Sequence, residues 1–134
     1  MAYKRIRKRP YSRNAGVASE HKECKAFFDW YSLYPFVSSR MIRIENGGKR
    51  SLTEAVRLKS EGLTPGTPDY FFRYPCGGYH GLWIEVKKTK GGKVSPEQIN
   101  FIENARKEGY AAEIGYGWEE CRQIVLDYIK RGTL

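Results

Sequence analysis

Between Ser19 and Tyr31 the apolar residues Cys24, Phe27, Phe28 and Tyr31 recur at the three- and four-residue spacing of one helical stripe. Ser19 stands before the stripe with an oxygen that can cap its first turn, and Pro35 is expected to end the helix. From Met41 to Glu45 the pattern switches to alternation, with Ile42 and Ile44 among polar residues, which predicts a short strand. Asn46-Gly47-Gly48 turns the chain, and Leu52, Ala55 and Val56 restore helical spacing until Gly62. Pro68 to Tyr74 reads as an aromatic-rich strand, Pro75 to Gly78 as a turn, and Gly81 to Lys87 as the second arm of a hairpin. Ser95-Pro96-Glu97-Gln98 combines a cap, a proline at the first helical position and a capping-box glutamine, so a helix starts there and closes at Gly109. Tyr110 to Gly115 is a last strand, and Cys121, Ile124, Val125, Tyr128 and Ile129 mark a final amphipathic helix. The order αβαββαβα predicts an α/β (α+β) fold, a mixed sheet flanked by helices.

Composition narrows what such a sheet could serve. With 134 residues the chain suits one domain, and 40% apolar and 14% aromatic residues argue against disorder. The net charge of +9 favours a polyanionic partner, most simply nucleic acid. Six of the positive charges, Lys4, Arg5, Arg7, Lys8, Arg9 and Arg13, fall in the first 13 residues without an acid. Residues 1–17 are therefore expected to be a flexible basic arm and 18–134 the single domain. No apolar run approaches the roughly 20 residues of a membrane span, and the basic N-terminus lacks the apolar region of a signal peptide. Cys24, Cys76 and Cys121 are odd in number and far apart, which speaks against a disulfide framework or a thiolate zinc site and for a reducing, cytoplasmic setting.

The most informative stretch is Leu82-Trp83-Ile84-Glu85-Val86-Lys87. Strand alternation points Leu82, Ile84 and Val86 to one side and Trp83, Glu85 and Lys87 to the other, so a carboxylate and an ammonium share one face. Gly66-Thr67-Pro68-Asp69 delivers a second acid just as the chain enters the preceding strand, and antiparallel pairing lets Asp69 and Glu85 converge. Two carboxylates, a backbone carbonyl and waters suit a hard cation such as Mg²⁺, which polarises a phosphodiester and lowers the pKa of a bound water. Lys87 beside it could orient that water or offset transition-state charge. Two glycine-flanked basic segments complete the picture: Lys49 and Arg50 after Asn46-Gly47-Gly48, and Lys88, Lys90 and Lys93 around Gly91-Gly92, each read as a contact to the DNA backbone. The arm residues Arg5, Arg7, Lys8 and Arg9 are read in the same way.

Taken in order, Gly66-Thr67-Pro68-Asp69, Glu85-Val86-Lys87, Gly91-Gly92-Lys93 and Ser95-Pro96-Glu97-Gln98 resemble the PD-(D/E)XK nuclease superfamily, and more closely its VRR-NUC family in the stand-alone phage and bacterial form. Ser19-Glu20-His21, Asn46 to Arg50 and Leu58 to Gly62 fall where that family has similar segments. The resemblance implies that Asp69 and Glu85 are metal ligands, that Val86 lends its carbonyl, that Lys87 is catalytic and that Gln98 belongs to the motif. Gln98 could equally serve only as the cap of its helix. An acid on the first helix completes the implied ligand set; Glu20 is preferred for the Ser-Glu-His match, with Glu23 its rival. The resemblance further implies a Mg²⁺- or Mn²⁺-dependent endonuclease, acting as a homodimer on branched DNA such as a Holliday junction. The alternative is a non-catalytic nucleic-acid-binding module on the same fold.

Overall fold

The protein is described by a computed structural model covering residue 6, residues 18–45 and residues 51–132. Helix α1, Glu20–Tyr31, starts where the capping residue places it: the Ser19 hydroxyl oxygen accepts from the Lys22 N–H, and Glu20 and Glu23 sit in the first turn, where negative charge suits the helix dipole. Phe27 and Tyr31 are buried and Cys24 is half-buried. Phe28, expected on the same stripe, is 48% exposed instead and packs edge-on against Tyr31. The buried stripe is thus narrower than the spacing suggests. Pro35 does not end α1, which stops at Tyr31. It opens a one-turn helix α2, Pro35–Ser38, absent from the expected order, because its fixed φ suits a first helical position.

Four strands form one sheet in the order β1-β2-β3-β4: β1 Met41–Arg43, β2 Tyr70–Phe72, β3 Leu82–Lys87 and β4 Ala111–Tyr116. The first two are shorter than alternation predicts. β1, β2 and β3 pair antiparallel, while β3 and β4 run parallel and are joined by α4, Pro96–Lys107, since parallel neighbours need a crossover. Helix α5, Trp118–Lys130, follows β4 directly.

The sheet separates two apolar clusters. The larger packs Phe27 and Tyr31 of α1 and Cys121, Val125 and Tyr128 of α5 against Phe72, Leu82, Ile84 and Val86. The smaller sets Ile102 and Ala105 of α4 against Ala112, Trp83 and Tyr110. Alternation along β3 is therefore obeyed. Phe27, Phe72, Ile84 and Val125 are wholly buried, each contributing roughly 1.5–3 kcal/mol.

Two features depart from a simple core. Helix α3, Leu52–Ser60, forms where expected and is capped by Ser51, yet none of its residues is buried, and Leu52 and Val56 are 81% and 61% exposed. Ile6, inside the basic N-terminal stretch, packs half-buried against the smaller cluster. The neighbouring bases Arg5, Arg7, Lys8 and Arg9 lie outside the described residues, as do Lys49 and Arg50. Among the described residues no helix is long and apolar enough to cross a membrane.

Candidate active site

The register of β2 and β3 pairs Tyr70 with Ile84; carried one residue further, it sets Asp69 opposite Glu85. Pairing stops at that point, and the Asp69 side chain takes over from the ladder: its Oδ2 accepts from the Val86 N–H at 2.8 Å. Pro68, which is fully buried, fixes the entry of the chain into the strand. A carboxylate is thereby locked against the backbone of the strand that carries Glu85 and Lys87.

Both of those residues are buried on the side of the sheet that faces α4. Glu85 Oε1 accepts from Gln98 Nε2 at 2.7 Å and lies 3.4 Å from Lys87 Nζ. Lys87 Nζ is also 3.7 Å from Glu20 Oε1. The structure thus gathers Glu20, Asp69, Val86, Lys87 and Gln98 around Glu85. Glu23, the rival on α1, is buried against Gly117: its Oε2 has no hydrogen-bond partner among the described residues, and a Cβ added at Gly117 would stand 3.4 Å from it. His21 is exposed.

Gln98 has two functions because its amide has two ends. Oε1 accepts from the Ser95 N–H at 2.9 Å and the Ser95 hydroxyl oxygen accepts from the Gln98 N–H at 3.1 Å, a complete capping box, while Nε2 holds Glu85. The sequence left cap and site as alternatives, and the side chain does both. Gln98→Glu preserves the cap but places a second carboxylate against Glu85. We expect this variant to melt with the wild type near pH 5, where the two acids share a proton, and well below it near pH 8. A pH series of thermal melts checks this. Equal melting across the series would show that Glu85 does not feel residue 98.

The electrostatics of the pair depart from those of ordinary carboxylic acids. Burial, and next the negative charge of Asp69, push the Glu85 carboxyl up to about 8, against the pull of Lys87. Burial also raises Asp69, an effect opposed by the Val86 N–H, Arg43 and Lys87. Glu85 Oε2 is buried without a hydrogen-bond partner among the described residues. The orphaned Glu85 oxygen, beside Asp69, is an oxygen donor that a hard cation would satisfy, and such a cation would favour the ionised form of Glu85. The carboxylates at this point are those of Asp69 and Glu85. Among the described residues no group of three or more His, Cys, Asp or Glu side chains is arranged to hold a metal ion. A cation here would therefore keep several waters, as Mg²⁺ does.

All three cysteines are free, and burial raises Cys24 to about 11 and Cys121 well above the ordinary thiol range. Lys90 and Lys93 are exposed on the loop that follows β3, with Lys88 half-buried at its start. Sequence reasoning missed one residue that touches the site, Arg43 on β1. Its Nη1 bonds the carbonyls of Ile44 and Asp69 and lies 3.4 Å from Asp69 Oδ1. A base on a three-residue strand carries no signal that separates it from a solvated edge.

The VRR-NUC domain model matches residues 14–118, a span containing every side chain gathered around Glu85. A solved structure described as a VRR_NUC domain protein is similar throughout, with a TM-score of 0.76 and 27% sequence identity, covering 87% of this chain and 92% of that one. No curated protein sequence matches the chain significantly.

Proposed function

The chain belongs to the VRR-NUC family of nuclease-type domains, and from that premise we propose an endonuclease that hydrolyses DNA phosphodiester bonds with Mg²⁺ or Mn²⁺. The observation that carries the reading is the pair of half-buried Asp69 and buried Glu85, with an orphaned Glu85 oxygen, beside the buried Lys87. A pure phosphate binder gains nothing from carboxylates placed where the phosphate must come. Asp69, Glu85 and the Val86 carbonyl would hold the cation, and Glu20 on α1 would complete the acidic set. When bound, such an ion polarises the phosphodiester and makes a bound water more acidic.

The chain's own residues do the positioning. The Val86 N–H fixes one oxygen of Asp69, and Gln98 fixes one oxygen of Glu85, leaving Glu85 Oε2 uncommitted. Lys87 Nζ lies between Glu85 and Glu20, where it can stabilise charge developing on the phosphoryl oxygens or orient the attacking water. Lys88, Lys90 and Lys93, together with Lys49, Arg50, Arg5, Arg7, Lys8 and Arg9, supply positive charge for the DNA backbone, contacts that position without reading sequence. One such site cuts one strand. Paired cuts on branched DNA, of the four-way-junction type, therefore call for a homodimer, and the three free cysteines suit a reducing cytoplasm.

The test is a cleavage panel of junction, flap, nicked and linear duplex DNA in Mg²⁺, Mn²⁺ and EDTA. The expected result is divalent-dependent cutting, strongest on branched DNA and lost in Asp69→Asn, which leaves DNA affinity in EDTA intact. Cutting that survives both EDTA and Asp69→Asn would overturn the mechanism. Equal cutting of junction and linear DNA by a monomer would overturn only the junction assignment.

A further inference from the structure

We infer that Arg43 is a substrate-binding residue of this site, gripping a non-bridging oxygen of the DNA phosphate presented to Asp69 and Glu85. The inference rests on the nuclease reading above and adds a residue to it. Arg43 Nη1 is fully committed to protein oxygens: the Ile44 carbonyl at 2.6 Å, the Asp69 carbonyl at 3.0 Å and Asp69 Oδ1 at 3.4 Å. Nη2 and Nε take no partner among the described residues, and the side chain is 47% exposed, against 18% for Asp69. The guanidinium carbon lies 5.1 Å from the centroid of the Tyr70 ring, which limits how the planar group can rotate. One edge of the fork is thus anchored and the other is free, at the rim where Asp69 becomes accessible.

A purely structural role explains only the anchored edge. The junction between β1 and β2 is already tied by the Ile44 N–H, which donates to the Asp69 carbonyl at 2.8 Å. What remains is a rigid pair of N–H donors, the geometry that matches a phosphate bidentately and that an ammonium cannot reproduce. Its position also gives a reason for the contact with Asp69. In the free protein the guanidinium opposes the accumulation of negative charge at the acids; in the complex its free edge faces the anion that those acids would otherwise repel.

The decisive measurement is DNA affinity in EDTA as a function of salt, made on the full chain carrying Arg43→Gln or Arg43→Lys, because it needs neither metal nor turnover. For Arg43→Gln the expected result is a Kd about fivefold to tenfold weaker and a salt slope smaller by about 0.9, the loss of one phosphate contact. Arg43→Lys should keep the slope and lose about twofold to threefold in affinity, since charge remains and the fork does not. Structural damage alone lowers the melting temperature without moving the slope. An unchanged slope in Arg43→Gln overturns the inference. If that variant does not fold, Arg43→Lys with wild-type affinity overturns it instead. A wild type that binds and cuts DNA while the Arg43 variants behave identically sinks only this inference; a wild type that does neither sinks the nuclease reading and this with it.

Discussion

Glu85→Gln is expected to abolish metal-dependent cleavage and, in the metal-free protein, to raise the melting temperature above neutral pH. The first effect follows from the donor set: an amide is a poor ligand for a hard cation, and losing one of two carboxylates should cost at least about a thousandfold in rate, several kcal/mol of transition-state stabilisation. The second follows from linkage. Glu85 is pushed from the ordinary 4.5 up to about 8 in the fold, so between these values the folded state binds more protons than the unfolded state. Stability therefore falls as pH rises through that window. Gln98 can still donate to the amide oxygen of the variant, which mimics the protonated acid and removes this slope. Its advantage should be nil near pH 4 and reach on the order of a few kcal/mol at pH 8. Calorimetric melts in EDTA from pH 4 to 8 check it. Adding Mn²⁺ at pH 8 should stabilise the wild type and leave the variant unmoved. Parallel melting curves across the series would refute the reading of Glu85 as an acid held against its preference.

Gly66→Ala is expected to lower both stability and activity although it alters no side chain of the site. Gly66 has φ +82°, and a Cβ built there would lie 2.4 Å from the carbonyl carbon and oxygen of Glu97 and 2.7 Å from the Gln98 nitrogen. These are backbone atoms of the first turn of α4, which the capping box holds in place. The loop before Asp69 therefore rests directly on the turn that carries Gln98, and a methyl group must separate them. Gly62 is the matched control: its φ is +97° and nothing lies within 4 Å of a Cβ there, so Gly62→Ala pays only the backbone penalty of roughly 1 kcal/mol. We expect Gly66→Ala to lose about 2–4 kcal/mol, lowering the melting temperature by roughly 10 °C, and to cut at least about tenfold more slowly at a temperature where it remains folded. Similar losses in the two variants would mean that the close approach is immaterial.

How much of this was legible beforehand depended on what each residue had to signal. Periodicity found α1, α4 and α5, because a helix on a sheet must bury a stripe, and the Ser95-Pro96-Gln98 start was right to the residue. The convergence of Asp69 and Glu85 followed from alternation and a short hairpin. Phe28 misled because a three-four spacing cannot show how wide the buried stripe is. Pro35 misled because a proline that cannot continue one helix is well suited to begin another. The double role of Gln98 was invisible while its amide was treated as one group, and Arg43 was invisible because its partners come from a strand 26 residues away.

The contacts that build the site join distant parts of the chain: Glu20 reaches Lys87, Asp69 reaches Val86, and Gln98 reaches Glu85. Moreover, β3 gains its second neighbour only when β4, residues 111–116, has been made. During synthesis a nascent chain that has just emerged past Lys87 still lacks α4, β4 and α5, and with them Gln98, the partner of Glu85. The full set of contacts around Glu85 is complete only once the last third of the polypeptide has docked. Tertiary folding is what assembles the site of this nuclease-type domain.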